Sequence, residues 1–96
     1  MKDEPQRLIF RVHAVQRMFE RGVTVENVRD VLANGQTIED YPDDTPYPSR
    51  LVLGWYESRP LHVVFAENKA MQEIIVVTVY EPDPDRWEND FKRRRP

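Results

Sequence analysis

At 96 residues, with 40% hydrophobic and 32% charged residues, the chain has room for one domain around one core, and its composition is globular rather than disordered. The absence of cysteine excludes a disulfide scaffold, a thiolate zinc site and a cysteine nucleophile together. Fourteen basic residues against 17 acidic ones leave a net charge of −3, the opposite of the excess that phosphate-backbone binders usually carry, although a local basic patch can bind while the rest of the surface stays acidic.

The longest uncharged apolar run, Ile74 to Tyr80, is far below the roughly 18–20 residues of a membrane span. Met1-Lys2-Asp3-Glu4-Pro5 puts acidic residues where a signal peptide has a basic start and an apolar centre. The expectation is a cytoplasmic protein with no membrane partner.

Residues 12–21 read as a short amphipathic helix. Stepping about 100° per residue puts Val12, Val15, Met18 and Phe19 in one arc, the expected core face, with His13, Arg17 and Glu20 opposite and Arg21 at their edge. Arg11-Val12 offers no capping acceptor, whereas Gly22 is a natural stop. A second helix starts at Thr24, which can cap it, carries an apolar stripe of Val25, Val28, Val31 and Leu32, and ends at Asn34-Gly35. Its three valines make it a poor helix by propensity alone, so packing must hold it.

After Gly35 the period changes from 3.6 to 2. Gln36 to Tyr41 is a first strand. Tyr41 to Ser49 contains three prolines and no apolar pattern, so it is a loop. Arg50–Tyr56, Leu61–Glu67 and Glu73–Tyr80 are strands, joined by links short enough for antiparallel hairpins. Pro82 and Pro84 stop the last strand. Asp85 to Arg95 is read as a terminal helix, docked through Trp87 and Phe91 at i and i+4. The expected fold is a single α+β domain over residues 1–96: an N-terminal helical hairpin packed on a small, mainly antiparallel sheet of about four strands, with a C-terminal helix.

Two features point to chemistry. His13, Arg17 and Arg21 stand at i, i+4 and i+8, on a face whose bland reading is a solvated helix surface. His62 sits inside an apolar strand, where a hydrogen-bonded structural role is the bland reading. If they converge, His13, His62, Tyr80 and the arginines suit phosphodiester cleavage, which needs a base for a 2′-hydroxyl, an acid for the leaving oxygen and cations on the phosphoryl oxygens. Two distant histidines without a closely spaced ligand set make no metal site, and no cofactor is expected. Three glycines leave no Gly-rich phosphate loop, and Ser49 and Ser58 lack a nucleophile-elbow context. Lys92 to Arg95 read as a solvated tail, a complement to a helix C-terminus, or an RNA-contacting end.

The ordered set Phe10-x-x-His13-Ala14-x-x-Arg17-Met18-x-x-Arg21-Gly22-Val23, Val28-x-x-Val31-Leu32-x-Asn34-Gly35, Ile38-Glu39-x-Tyr41-Pro42, Leu53-Gly54, Leu61-His62-Val63-Val64 and Ile75 to Pro84 with Trp87-x-x-Asp90-Phe91 resembles the bacterial family called domain of unknown function 4258. The departure is the missing Ser or Thr cap before His13. The family is in turn similar to the RelE-type toxins of type II toxin–antitoxin modules. That resemblance implies a RelE-like α+β fold, a cognate antitoxin, often of zinc-finger type, as partner, and cleavage of messenger RNA, often on the ribosome. Fold analogy alone does not fix function.

Two readings follow. One is a metal-independent endoribonuclease (an mRNA interferase) with catalytic His13, His62 and Tyr80 and substrate-binding Arg17, Arg21 and Arg50. The other is a non-catalytic protein-binding module of a small bacterial operon, which the acidic balance favours.

Overall fold

The computed structural model describes residues 6–96, so the Met1–Pro5 segment read against a signal peptide lies outside the described residues. Along the chain run β1 (Arg7–Phe10), α1 (Val12–Arg21), α2 (Val25–Asn34), β2 (Gln36–Tyr41), β3 (Ser49–Tyr56), β4 (Arg59–Asn68) and β5 (Glu73–Tyr80). The strands form one sheet of order β1-β5-β4-β3-β2. The β2–β3, β3–β4 and β4–β5 pairs are antiparallel, and β1 pairs parallel with β5 from Arg7↔Glu73 to Phe10↔Val76.

The expected fold of about four mainly antiparallel strands with a C-terminal helix is therefore corrected twice: the sheet is five-stranded and mixed, and residues 81–96 form no helix. β1 has only four residues, too few to show a period in sequence. It forms because β5 offers a free edge, and because the helical hairpin supplies the long crossover that a parallel pair requires. In the C-terminal segment, side chains and turns take the backbone bonds that a helix would need. Asp83 Oδ1 accepts from the Asp85 N–H and Asp90 Oδ1 from the Lys92 N–H, the local bonds by which Asp competes with helix. Phe91 adopts φ 60°, and Glu88 N–H and Arg95 N–H bond to Arg93 O and Arg86 O, folding the segment back on itself as a bridge between Trp87 and Arg94.

The hairpin is punctuated as the sequence suggests. Gly22 takes the left-handed conformation (φ 69°), and its backbone N–H reaches the end of α1. Thr24 Oγ1 accepts from Asn27 N–H while Asn27 Oδ1 accepts from Thr24 N–H, a reciprocal cap. The packing of α1 differs from the expected arc. Ala14 and Met18 are buried, while Val12, Val15 and Phe19 are exposed. α1 lies over β5 and α2 over β3 and β4. α2 sits so close to β3 that a Cβ added at Gly54 would stand 2.6 Å from Val31 Cγ2.

Strand alternation divides the apolar residues between two faces. Val52, Tyr56, Leu61, Val63, Val76 and Val79 join Ala14, Met18, Val23, Val28 and Val31 in the core under the helices. Ser49, Leu51 and Leu53 on β3, with His62 and Ala66 on β4, have the opposite parity and face away from the helices. Among the described residues no helix is long and apolar enough to cross a membrane.

Candidate functional site

The helix-free face of the sheet carries polar chemistry at two places. At the first, His62 stands opposite Tyr80 in the β4–β5 register and is fully buried. Its Nε2 lies 2.9 Å from the Phe91 carbonyl. A carbonyl only accepts, so the proton is on Nε2, and Nδ1 accepts from the Tyr80 hydroxyl at 3.2 Å. The Trp87 ring meets the imidazole edge-on at 4.5 Å. The Arg94 guanidinium lies 4.6 Å over Trp87 and pairs with Glu39 at 3.3 Å, while the Tyr41 hydroxyl also donates to Glu39.

Burial lowers the His62 pKa against the opposing pull of the Phe91 carbonyl and the Glu39 charge. Partial burial would raise Glu39, but the Tyr41 and Arg94 bonds outweigh it and hold the carboxyl below its ordinary range. Burial first, then Glu39, push Tyr41 up to about 12. The result is a neutral, enclosed imidazole with both nitrogens occupied. It ties the C-terminal segment to the sheet and has no face open to a substrate.

The second place lies at the other end of the same face. A cleft of about 410 Å³ is lined by His13 and Arg11 from the start of α1, by Asp44 to Tyr47 from the β2–β3 loop, and by Ser49, Ala66 and Val77 on the sheet. Three positions beyond the end of β1, His13 lines this cleft together with Val77, the β5 residue just past the pairing with β1. The Ser49 hydroxyl donates to Asp44, and Asn68 Nδ2 donates to the Tyr47 hydroxyl at 2.9 Å, so the loop wall is fixed to the sheet. His13 is exposed. A larger depression of about 490 Å³, between the end of α2 and the C-terminal segment, is lined by Asp30, Asp90 and Lys92 and contains none of His13, His62, Tyr80, Arg17, Arg21 and Arg50.

Of those residues, the structure brings His62 and Tyr80 together and places His13 in the separate cleft. Arg17 pairs with Glu20 at 3.7 Å, Arg21 with Glu81 at 3.9 Å and Arg50 with Asp40 at 3.7 Å. Arg50 also lies 5.9 Å from the Phe65 ring centroid. None of the three arginines lines the His13 cleft. The cation that does is Arg11, which has no carboxylate at ion-pair distance among the described residues. Sequence reasoning treated Arg11 only as a failed cap. The readable signal was its position two residues from His13, across the break between β1 and α1. Glu39, Tyr41 and Arg94 were missed for another reason: their network exists only because the C-terminal segment returns to β2.

Neither a curated protein nor a solved structure matches the chain. Residues 10–81 match the family described as Domain of unknown function (DUF4258). The match spans both helices and β2 to β5, including His13 and His62, and the chain belongs to that family.

Proposed function

We propose that this chain is a metal-independent endoribonuclease acting on messenger RNA, as the toxin of a type II toxin–antitoxin module. The observation that carries the reading is the cleft in which the exposed His13 lies together with Arg11, which has no ion pair among the described residues. His13 takes the proton of a ribose 2′-hydroxyl, and the 2′ oxygen attacks phosphorus. Arg11 holds the phosphoryl oxygens as charge builds on them. The P–O5′ bond breaks, the Tyr47 hydroxyl protonates the departing 5′ oxygen, and the product ends in a 2′,3′-cyclic phosphate. The chemistry needs no metal, because the base, the acid and the cation are all side chains. The net charge of −3 is no obstacle, because binding depends on the local field of the cleft. His62 and Tyr80 support the sheet face instead of reacting.

The test is cleavage of a labelled single-stranded RNA by purified protein in EDTA, together with growth after induced expression. His13→Ala is expected to lose about 10²–10⁴ in rate and Arg11→Ala about 10²–10³, both with unchanged circular dichroism. A wild-type protein that neither cleaves RNA nor slows growth overturns the proposal and favours the protein-binding module.

A further inference from the structure

The depression of about 490 Å³ between α2 and the C-terminal segment shares no residue with the His13 cleft. Close packing fixes its floor. A Cβ added at Gly35 would stand 2.5 Å from Val31 O and 2.7 Å from Leu53 O, so the end of α2 is seated directly on β3. β2 stops pairing with β3 at Gln36↔Leu53, and Trp55 stands past that last partner. Its indole lines the depression and is 51% exposed, with Phe91 edge-on at 6.2 Å.

The polar groups around this indole are mostly acceptors. Asp30 and Asp90 line the depression, and neither has a cation at ion-pair distance among the described residues. Asp30 Oδ1 accepts from Asn34 Nδ2, and Asp90 Oδ1 from the Lys92 N–H, which leaves the second oxygen of each carboxylate to a ligand. α2 ends here at Asn34 with no basic residue in its last turn, so the negative end of its dipole has no counter-charge of its own. Lys92 is the one cation in the lining, and two carboxylates against it leave a net −1.

We propose that this depression binds a guanidinium group, whose flat face stacks on Trp55 while its N–H fork donates to Asp30 and Asp90. Charge and shape select it together. A negative lining beside a helix C-terminus repels a phosphate or carboxylate, and an indole face attracts a cation. A guanidinium has a plane to stack and five donors in a fixed fork, whereas an ammonium is a compact point charge. A metal ion finds too few ligands, because among the described residues no three His, Asp or Glu side chains stand together to hold one. The group arrives either on a free arginine derivative or on an arginine of another protein. Neither case depends on RNA cleavage, because the two cavities are separate.

The experiment follows the Trp55 indole N–H by NMR as Nα-acetyl-arginine methylamide is added, with the matching lysine compound and uridine monophosphate titrated in parallel. Trp87, buried and outside the depression, is the internal control. The expected result is a saturable shift of Trp55 alone, with the arginine compound at least about threefold tighter than the lysine compound. Asp30→Asn and Asp90→Asn should each weaken binding about tenfold through a lost charge-assisted bond, with unchanged circular dichroism. Lys92→Ala removes the competing cation and should tighten binding. Agmatine and a blocked glycine–arginine–glycine peptide separate the sources: tighter agmatine assigns the site to a free guanidine, and a tighter peptide assigns it to a partner's arginine. A Trp55 signal that does not saturate, equal affinity for the lysine compound, or affinity indifferent to both carboxylate substitutions overturns the proposal. So does weaker binding by Lys92→Ala, or tighter binding of uridine monophosphate, which assigns the depression to a nucleotide.

Discussion

Replacing Trp87 with alanine tests whether the C-terminal segment is a structural part of the sheet or a loose tail. Trp87 is 3% exposed, with the His62 ring edge-on at 4.5 Å and the Arg94 guanidinium 4.6 Å over its face. A tryptophan buries about 150–250 Å², which at about 25 cal/mol per Å² is roughly 4–6 kcal/mol of transfer free energy. That is an upper figure, because the unfolded chain already hides part of its surface. Truncations of buried aromatic residues cost about 3–5 kcal/mol, and the lower end applies here because the segment lies at the surface and can relax. A loss of about 3 kcal/mol corresponds to a fall of roughly 12–24 °C in Tm for a domain of this size.

The effect has a local signature as well. When the segment detaches, His62 loses its cover and the Phe91 carbonyl, and its pKa returns toward the ordinary 6.5. The assay is thermal unfolding by circular dichroism, with an NMR titration of the histidine ring protons in wild type and Trp87→Ala. A Tm fall below about 4 °C, under 1 kcal/mol, with His62 still titrating below its ordinary range, would refute the reasoning.

His62 also predicts the direction of pH dependence. Its folded pKa is below the unfolded 6.5, so below that pH the unfolded chain binds the extra proton and stability falls as pH drops from about 6.5 toward the folded value; urea midpoints across pH 5–7 should show this, and His62→Gln should flatten it. Tyr80→Phe removes the donor to His62 Nδ1 and is expected to cost about 1–3 kcal/mol through the buried acceptor left unpaired, measured by urea unfolding. Gly54→Ala places a methyl 2.6 Å from Val31 Cγ2 and should cost about 1–3 kcal/mol by overpacking, read from the same unfolding curves.

Much of the fold was legible because each signal was local. Thr24 and Asn27, Gly22, and the change of period after Gly35 bound their elements by backbone chemistry that depends on few distant residues. What was not legible depended on distance in sequence. β1 exists only by pairing with β5, more than 60 residues later. The last segment has Trp87 and Phe91 at helical spacing, yet its aspartates and the fold-back from Trp87 to Arg94 satisfy the backbone another way. The arc of α1 was misread for a related reason. Hydrophobicity placed Val12, Val15 and Phe19 with Met18 in one core-facing arc, but the helix packs through the small Ala14 beside Met18, and the larger side chains turn outward.

The candidate site shows the same division between local and distant information. His62 and Tyr80 could be named from sequence because they lie in strong strands, but whether they are open to a substrate depends on a carbonyl 29 residues later. That carbonyl closes His62, so of the two histidines named from sequence only His13 is open to a substrate. The same step reassigns the cation. Arg17, Arg21 and Arg50 looked available in sequence, and each faces a carboxylate in the fold. Arg11, overlooked at a helix start, lines the cleft with no ion pair among the described residues. A histidine or arginine in sequence states only what chemistry a side chain could do. Its distant partners decide whether the group reacts or holds the structure together.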